Sequence, residues 1–134
     1  VIVISTHVLE EVDAVCSRAI VIARGKMIAD GTPADLERRS TYYNAVSVRL
    51  HRDHVDTLKE ALGGISDIER IETGEHVGDT AHVVVVSKNG ATIIETVNAR
   101  MSDRSITIEQ LYVERGRLED VFRQLTGDEQ GENA

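Results

Sequence analysis

The sequence predicts an α/β chain in two parts, a strand–helix–hairpin unit over residues 1–40 and an α+β module over residues 41–127. Three observations carry that prediction. Residues 1–4 are continuously apolar and β-branched (VIVI), with a helical apolar stripe directly behind them. A polar junction, Ser40–Asn44 (STYYN), marks a change of composition at about residue 41. Beyond it, strand-type alternation and helix-type stripes succeed one another in the order β-α-β-β-α-β, followed by one more helix.

In chain order, Val1–Ile4 reads as a parallel strand covered on both faces. It runs out at Ser5-Thr6 and presents His7 at its tip, which is where open α/β sheets carry functional side chains. Val8, Leu9, Val12, Val15 and Cys16 recur at helical spacing, with Glu10, Glu11 and Asp13 opposite, and early acids suit a helix N-terminus. Cys16, on the apolar side, is expected to be a buried filler. Ala19–Ala23 (AIVIA) and Lys26–Ala29 (KMIA) read as a hairpin around Arg24-Gly25. Thr32 and Pro33 then suit the N-cap and first position of a short helix, Ala34–Arg39.

In the second part, Val46, Val48 and Leu50 alternate with Ser47 and Arg49, a strand with one wet face. Val55, Leu58 and Leu62 form a helical stripe that stops at Gly63-Gly64. Ile65–Thr73 holds a strand in which Ile68 and Ile71 are out of phase, a sign of a bulge. Glu75–Thr80 reads as a loop, and His82–Ser87 (HVVVVS) as the strongest strand. Ile93, Ile94, Val97 and Met101 give a second helix, and Ser105–Val113 a last strand. Leu118, Val121, Phe122 and Leu125 sit at i, i+3, i+4, i+7, a final helix ending at Gly127, with a polar, disordered tail over 128–134. This order of elements is the split βαβ arrangement of the ferredoxin-like class.

Charge and composition exclude several functions. The 134 residues carry a net charge of −8. Residues 1–40 hold five basic and six acidic side chains, leaving ten basic and seventeen acidic beyond. An acidic second part without clustered Lys and Arg argues against nucleic acid as a partner and against docking on an anionic membrane. The single cysteine, Cys16, excludes an internal disulfide and a cysteine-rich metal site. No apolar run approaches the roughly 20 residues that span a bilayer. The chain opens at Val1, already inside an apparent core strand, and so reads as a fragment of something longer.

The stretch STHVLEEVDAVCSRAIVIARGKMIADGTPADL resembles the distal part of the ATP-binding subunit of ABC transporters. The resemblance covers Val1 to about Arg39: a strand, Ser-Thr-His, the LEEV helix, the IVIARGK hairpin and GTPADL, in matching order and spacing. Leu118–Gly127 (LEDVFRQLTG) resembles the closing helix of an accessory C-terminal domain found on ABC-2 type exporter ATPases of drug, sodium or gliding-motility systems.

The resemblance implies that residues 1–40 are the remnant of a P-loop nucleotide-binding domain and that His7 is its switch histidine, in the H-loop. There the imidazole would contact the terminal phosphate of ATP and help to place the attacking water. It implies ATP and Mg²⁺ as ligands of the parent, a membrane-spanning transporter subunit and a second copy of the ATPase as partners, and a place on the cytoplasmic face of the cell membrane. Against the family pattern, the chain has no G-x-x-x-x-G-K-[ST] phosphate loop, no strand ending in Asp-Glu and no ABC signature. It is therefore expected to hold no cofactor and to hydrolyse nothing alone.

The other titratable residues read as ordinary. His51 and His54, with Asp53 and Asp56 nearby, flank a strand-to-helix turn and are expected to be solvated, because zinc wants three or four converging ligands. His76 is expected in a loop and His82 at a strand start, and the glutamates of Glu109–Glu119 on a solvated face. The second module is expected to dock on the membrane subunit or to pair with its own copy. Small-molecule sensing and packing support for the nucleotide-binding domain are the competing readings, and a stand-alone regulatory domain is the alternative of a different class. Without neighbouring strands, residues 1–30 of the isolated chain are expected to dimerise, swap or stay disordered.

Overall fold

The computed structural model describes residues 1–132, with side-chain surroundings through Thr126. The chain folds into two compact units, Val1–Ser40 with Gly116–Ala134, and Thr41–Arg115. Together they hold two antiparallel sheets and, among the described residues, five α-helices.

In the first unit, helix α1 (Leu9–Val15) precedes strands β1 (Ala19–Ala23) and β2 (Lys26–Gly31), which form a two-stranded hairpin. Arg24 and Gly25 both take positive φ in its turn. Helix α2 (Pro33–Glu37) starts on a complete capping box: the Thr32 hydroxyl accepts the Asp35 N–H at 3.0 Å, and the Asp35 carboxylate accepts the Thr32 N–H at 3.2 Å. Those bonds hold the Asp35 carboxyl below its ordinary pKa, the backbone donor from Thr32 contributing most.

Helix α5 (Leu118–Glu132) belongs to this unit, not to the second module whose closing helix the pattern suggested. Ser40 Oγ donates to Asp120 Oδ2 at 2.9 Å, and Val121 and Leu36 are both buried. The α5 backbone continues past Gly127, where the apolar spacing stops. Residues 133–134 of the tail expected to be disordered lie outside the described residues.

Val1–Ile4 form no strand. All four are exposed, from 51% at Ile4 to full exposure at Val1. A strand needs a ladder partner, and among the described residues none of the paired strands lies beside Val1–Ser5. Cys16 is likewise half-buried instead of buried, because α1 has no buried residue for a filler to pack among.

The second unit runs β3 (Val46–His51), α3 (Val55–Leu62), β4 (Ile68–Val77), β5 (Thr80–Ser87), α4 (Ile94–Asp103) and β6 (Ile108–Val113). Its sheet has the order β4-β5-β3-β6, with every neighbouring pair antiparallel. Two βαβ crossovers therefore interleave, one leaving room for β5 between β3 and β4, the other for β3 between β5 and β6. The register pairs Val46 with Val85 and Val48 with Val83. These residues share a face with Leu50, against which α3 supplies Leu58 and Leu62 and α4 supplies Val97 and Met101, all essentially without exposure. Burying each such side chain contributes about 1.5–3 kcal/mol.

Strand β4 is bulged between Ile68 and Arg70 and again between Thr73 and His76. Beyond the second bulge it resumes pairing and reaches Val77, so His76 is a strand residue and not a loop residue. Gly78, at φ +61°, makes the tight return possible. Ser105, at φ +55°, delays the last strand to Ile108.

Candidate functional site

His7 occupies a bend between the unpaired Val1–Ser5 and helix α1, and it is exposed. The order of this turn comes from Thr6. Its hydroxyl accepts the Val8 N–H at 3.0 Å and donates to Glu11 Oε2 at 2.7 Å. Val8 stands at the N-cap of α1 in extended conformation with no side-chain cap bond, and Thr6 takes the N–H of Val8 itself, a turn closed by a threonine hydroxyl two residues upstream. Glu10 and Glu11 place two carboxylates in the first turn, a favourable match to the helix dipole.

Behind α1, the chain is tied to the hairpin by a bidentate ion pair, Arg18 Nε to Asp30 Oδ1 at 2.8 Å and Arg18 Nη2 to Asp30 Oδ2 at 2.7 Å. The guanidinium hydrogen bonds hold the Asp30 carboxyl below its usual range and push Arg18 up. The pair lies three residues beyond the end of α1 and joins the residue before β1 to β2.

Elsewhere the titratable residues sort differently. His51 and His54 meet edge to face at 6.1 Å between ring centroids, and His51 Nδ1 accepts the Asp53 N–H at 3.2 Å, which orders the turn into α3. Glu109–Glu119 is not a uniform solvated face. Glu114 is half-buried and accepts from Ser47 Oγ at 2.9 Å.

Ser47, His82 and Glu114 form a polar chain that the sequence reading missed. Ser47 is fully buried, and His82 Nε2 lies 3.3 Å from its hydroxyl. The period-2 pattern of β3 marks Ser47 as facing away from the core, but only the register, Ser47 opposite both Val84 and Tyr112, brings the three together. The order of contacts is wrong for nucleophilic catalysis. Ser47 has one proton, and it goes to Glu114, so Ser47 can only accept from His82. The chain satisfies a buried hydroxyl.

The sequence has no glycine-rich phosphate loop with its lysine. Among the described residues, no three His, Cys, Asp or Glu side chains converge as a metal site. Nor is any described helix long and apolar enough to cross a membrane.

No family model matches the chain. It is 27% identical over 126 residues to the daunorubicin resistance ATP-binding protein DrrA2 of Streptomyces coeruleorubidus, covering 94% of this chain and 38% of the relative. It is 31% identical over 129 residues to the Nod factor export ATP-binding protein I of Cupriavidus pinatubonensis, covering 96% of this chain and 35% of the relative. The doxorubicin resistance ATP-binding protein DrrA of Mycobacterium tuberculosis is 25% identical over 125 residues, 93% of this chain and 37% of the relative. The chain therefore spans little more than a third of the length of these curated relatives.

Proposed function

Since the homologues of this chain are the ATP-binding proteins of ABC transporters, we propose that it is the C-terminal part of an exporter ATPase subunit. In this reading the full-length protein couples ATP hydrolysis to transport through a separate membrane-spanning subunit, working as a pair of ATPase copies on the cytoplasmic face. The observation that carries it is similarity running through both compact units, 93–96% of this chain in the relatives described, with His7 exposed on a tied turn. A stand-alone regulatory domain would not need the first unit to follow the same relatives.

Within that reading, His7 is the switch histidine. Phosphoryl transfer depends mainly on positioning and charge stabilisation. An imidazole can donate a hydrogen bond to a terminal phosphate oxygen in either protonation state. The substrate is seated by parts of the ATPase outside this chain, and His7 contributes one donor to it. Residues 1–40 are then the distal end of the nucleotide-binding domain. The unit 41–115 is a ferredoxin-like accessory module, a reading supported by its interleaved crossovers and its β4-β5-β3-β6 order. That module serves docking on the membrane subunit or pairing of copies.

Reading the coding sequence ahead of Val1 tests this. It should encode a G-x-x-x-x-G-K-[ST] loop and a strand ending in Asp-Glu, and an upstream sequence with neither overturns the proposal. The exposed Val1–Ile4 support a further expectation, that the isolated chain pairs with a second copy through residues 1–30. Light scattering should then give a dimer, and a monomer at all concentrations contradicts that pairing.

A further inference from the structure

We infer that Thr6 and Glu11 are a positioning pair for His7, a role that rests on the reading of His7 proposed above. The Thr6 hydroxyl has one proton and two lone pairs. At 2.7 Å from Glu11 Oε2, that proton is donated to a carboxylate in a short, charge-assisted bond. The proton is thereby committed, and a lone pair is left to take the Val8 N–H at 3.0 Å.

Together the two bonds bracket His7. The residue before it is tied to the residue after it, and both are tied to the first turn of α1. Glu11 is held in place in turn, its own N–H donating to the Val8 carbonyl at 3.2 Å. Because His7 is exposed, packing does not hold its side chain, and this bracketed turn fixes the backbone from which the imidazole departs. Neither Thr6 nor Glu11 needs to touch the nucleotide. Both act through the bend that carries the histidine, and an imidazole misplaced by even an ångström loses much of its effect on a transferring phosphoryl group.

Steady-state ATP turnover of the full-length protein tests this with Thr6→Val, Thr6→Ser, Glu11→Ala, His7→Ala and the His7→Ala/Thr6→Val double variant. Thr6→Val keeps the branched shape and loses both bonds. It should lower kcat about tenfold, the worth of one well-placed hydrogen bond, with KM for ATP little changed. Glu11→Ala should give a similar loss, and Thr6→Ser should recover most of the rate. In the His7→Ala background, Thr6→Val should have no further effect, since its effect passes through the imidazole. Full turnover in Thr6→Val beside a defective His7→Ala overturns the positioning pair and leaves the role of His7 standing. Full turnover in His7→Ala overturns the role of His7 itself. A further loss in the double variant, accompanied by a lowered Tm, makes Thr6 a general support of the fold and also overturns the inference.

Discussion

Gly116, at φ +106°, passes so close to Glu37 that a β-carbon at position 116 would overlap the Glu37 carbonyl oxygen and sit 3.2 Å from Ser40 Cβ. This close approach lets the chain re-enter the first unit, where Asp120 receives Ser40 and Val121 is buried. Gly116→Ala meets both a backbone clash and a conformation that side chains avoid, and should cost about 2 kcal/mol or more. Urea denaturation checks it, and an unchanged midpoint would mean that the return of α5 is loose.

The main core of the second unit lies on one face of its sheet, and a smaller cluster of Ala45, Val84 and Val86, with Tyr42 packed against them, is buried apart from it. Leu58→Ala and Met101→Ala, both at positions with no exposure, should each destabilise by about 2–5 kcal/mol. Ile22→Ala, at 66% exposure on the hairpin of this chain, should stay within about 0.5 kcal/mol. Equilibrium unfolding of the three variants compares them directly, and equal losses would contradict the assigned core.

Ser47 bridges His82 and Glu114. Ser47→Ala should cost about 1–3 kcal/mol, because it strips a partner from a half-buried carboxylate. Glu114→Gln in the Ser47→Ala background should cost less than it does alone, as two groups in one network are not additive. A double-mutant cycle measures this, and strict additivity would show that the bond is not formed.

Acid stability has a defined sign. Arg18 lowers the pKa of Asp30, and the Thr32 N–H lowers that of Asp35. A carboxyl depressed in the folded state stabilises above its unfolded value of 3.8 and loses that contribution as pH falls through the folded one. Unfolding free energy should therefore decline below about pH 4, and Asp30→Asn should flatten the decline. Both carboxyls lie at the surface, so added salt should weaken the Arg18–Asp30 part. An unaltered acid slope in Asp30→Asn would contradict the pair.

Much of the second unit was legible because its periods are clean. Val46, Val48 and Leu50 alternate as a strand must, and Leu58 and Leu62 repeat as a helix must. The out-of-phase Ile68 and Ile71 flagged the bulge that the register shows. The reading failed where burial depends on distant partners. Val1–Ile4 has strand composition, but a strand exists only beside another one. Cys16 has an apolar stripe around it, but α1 buries nothing. The return of the chain to the first unit at α5 passes through Gly116, whose close approach to Glu37 no local pattern announces. At the His7 turn, the position on a strand-to-helix connection could be read from order and spacing. The Thr6–Glu11 bond could not, because it depends on which rotamer two side chains share five residues apart.

The most direct measurement is ATP turnover and ATP affinity of the full-length protein with His7→Ala. An imidazole that acts on the terminal phosphate should be worth two orders of magnitude or more in turnover, roughly the effect of a positioned proton donor, while ATP affinity stays within about threefold. Unchanged turnover, or a loss of affinity as large as the loss of rate, would contradict the role assigned to His7.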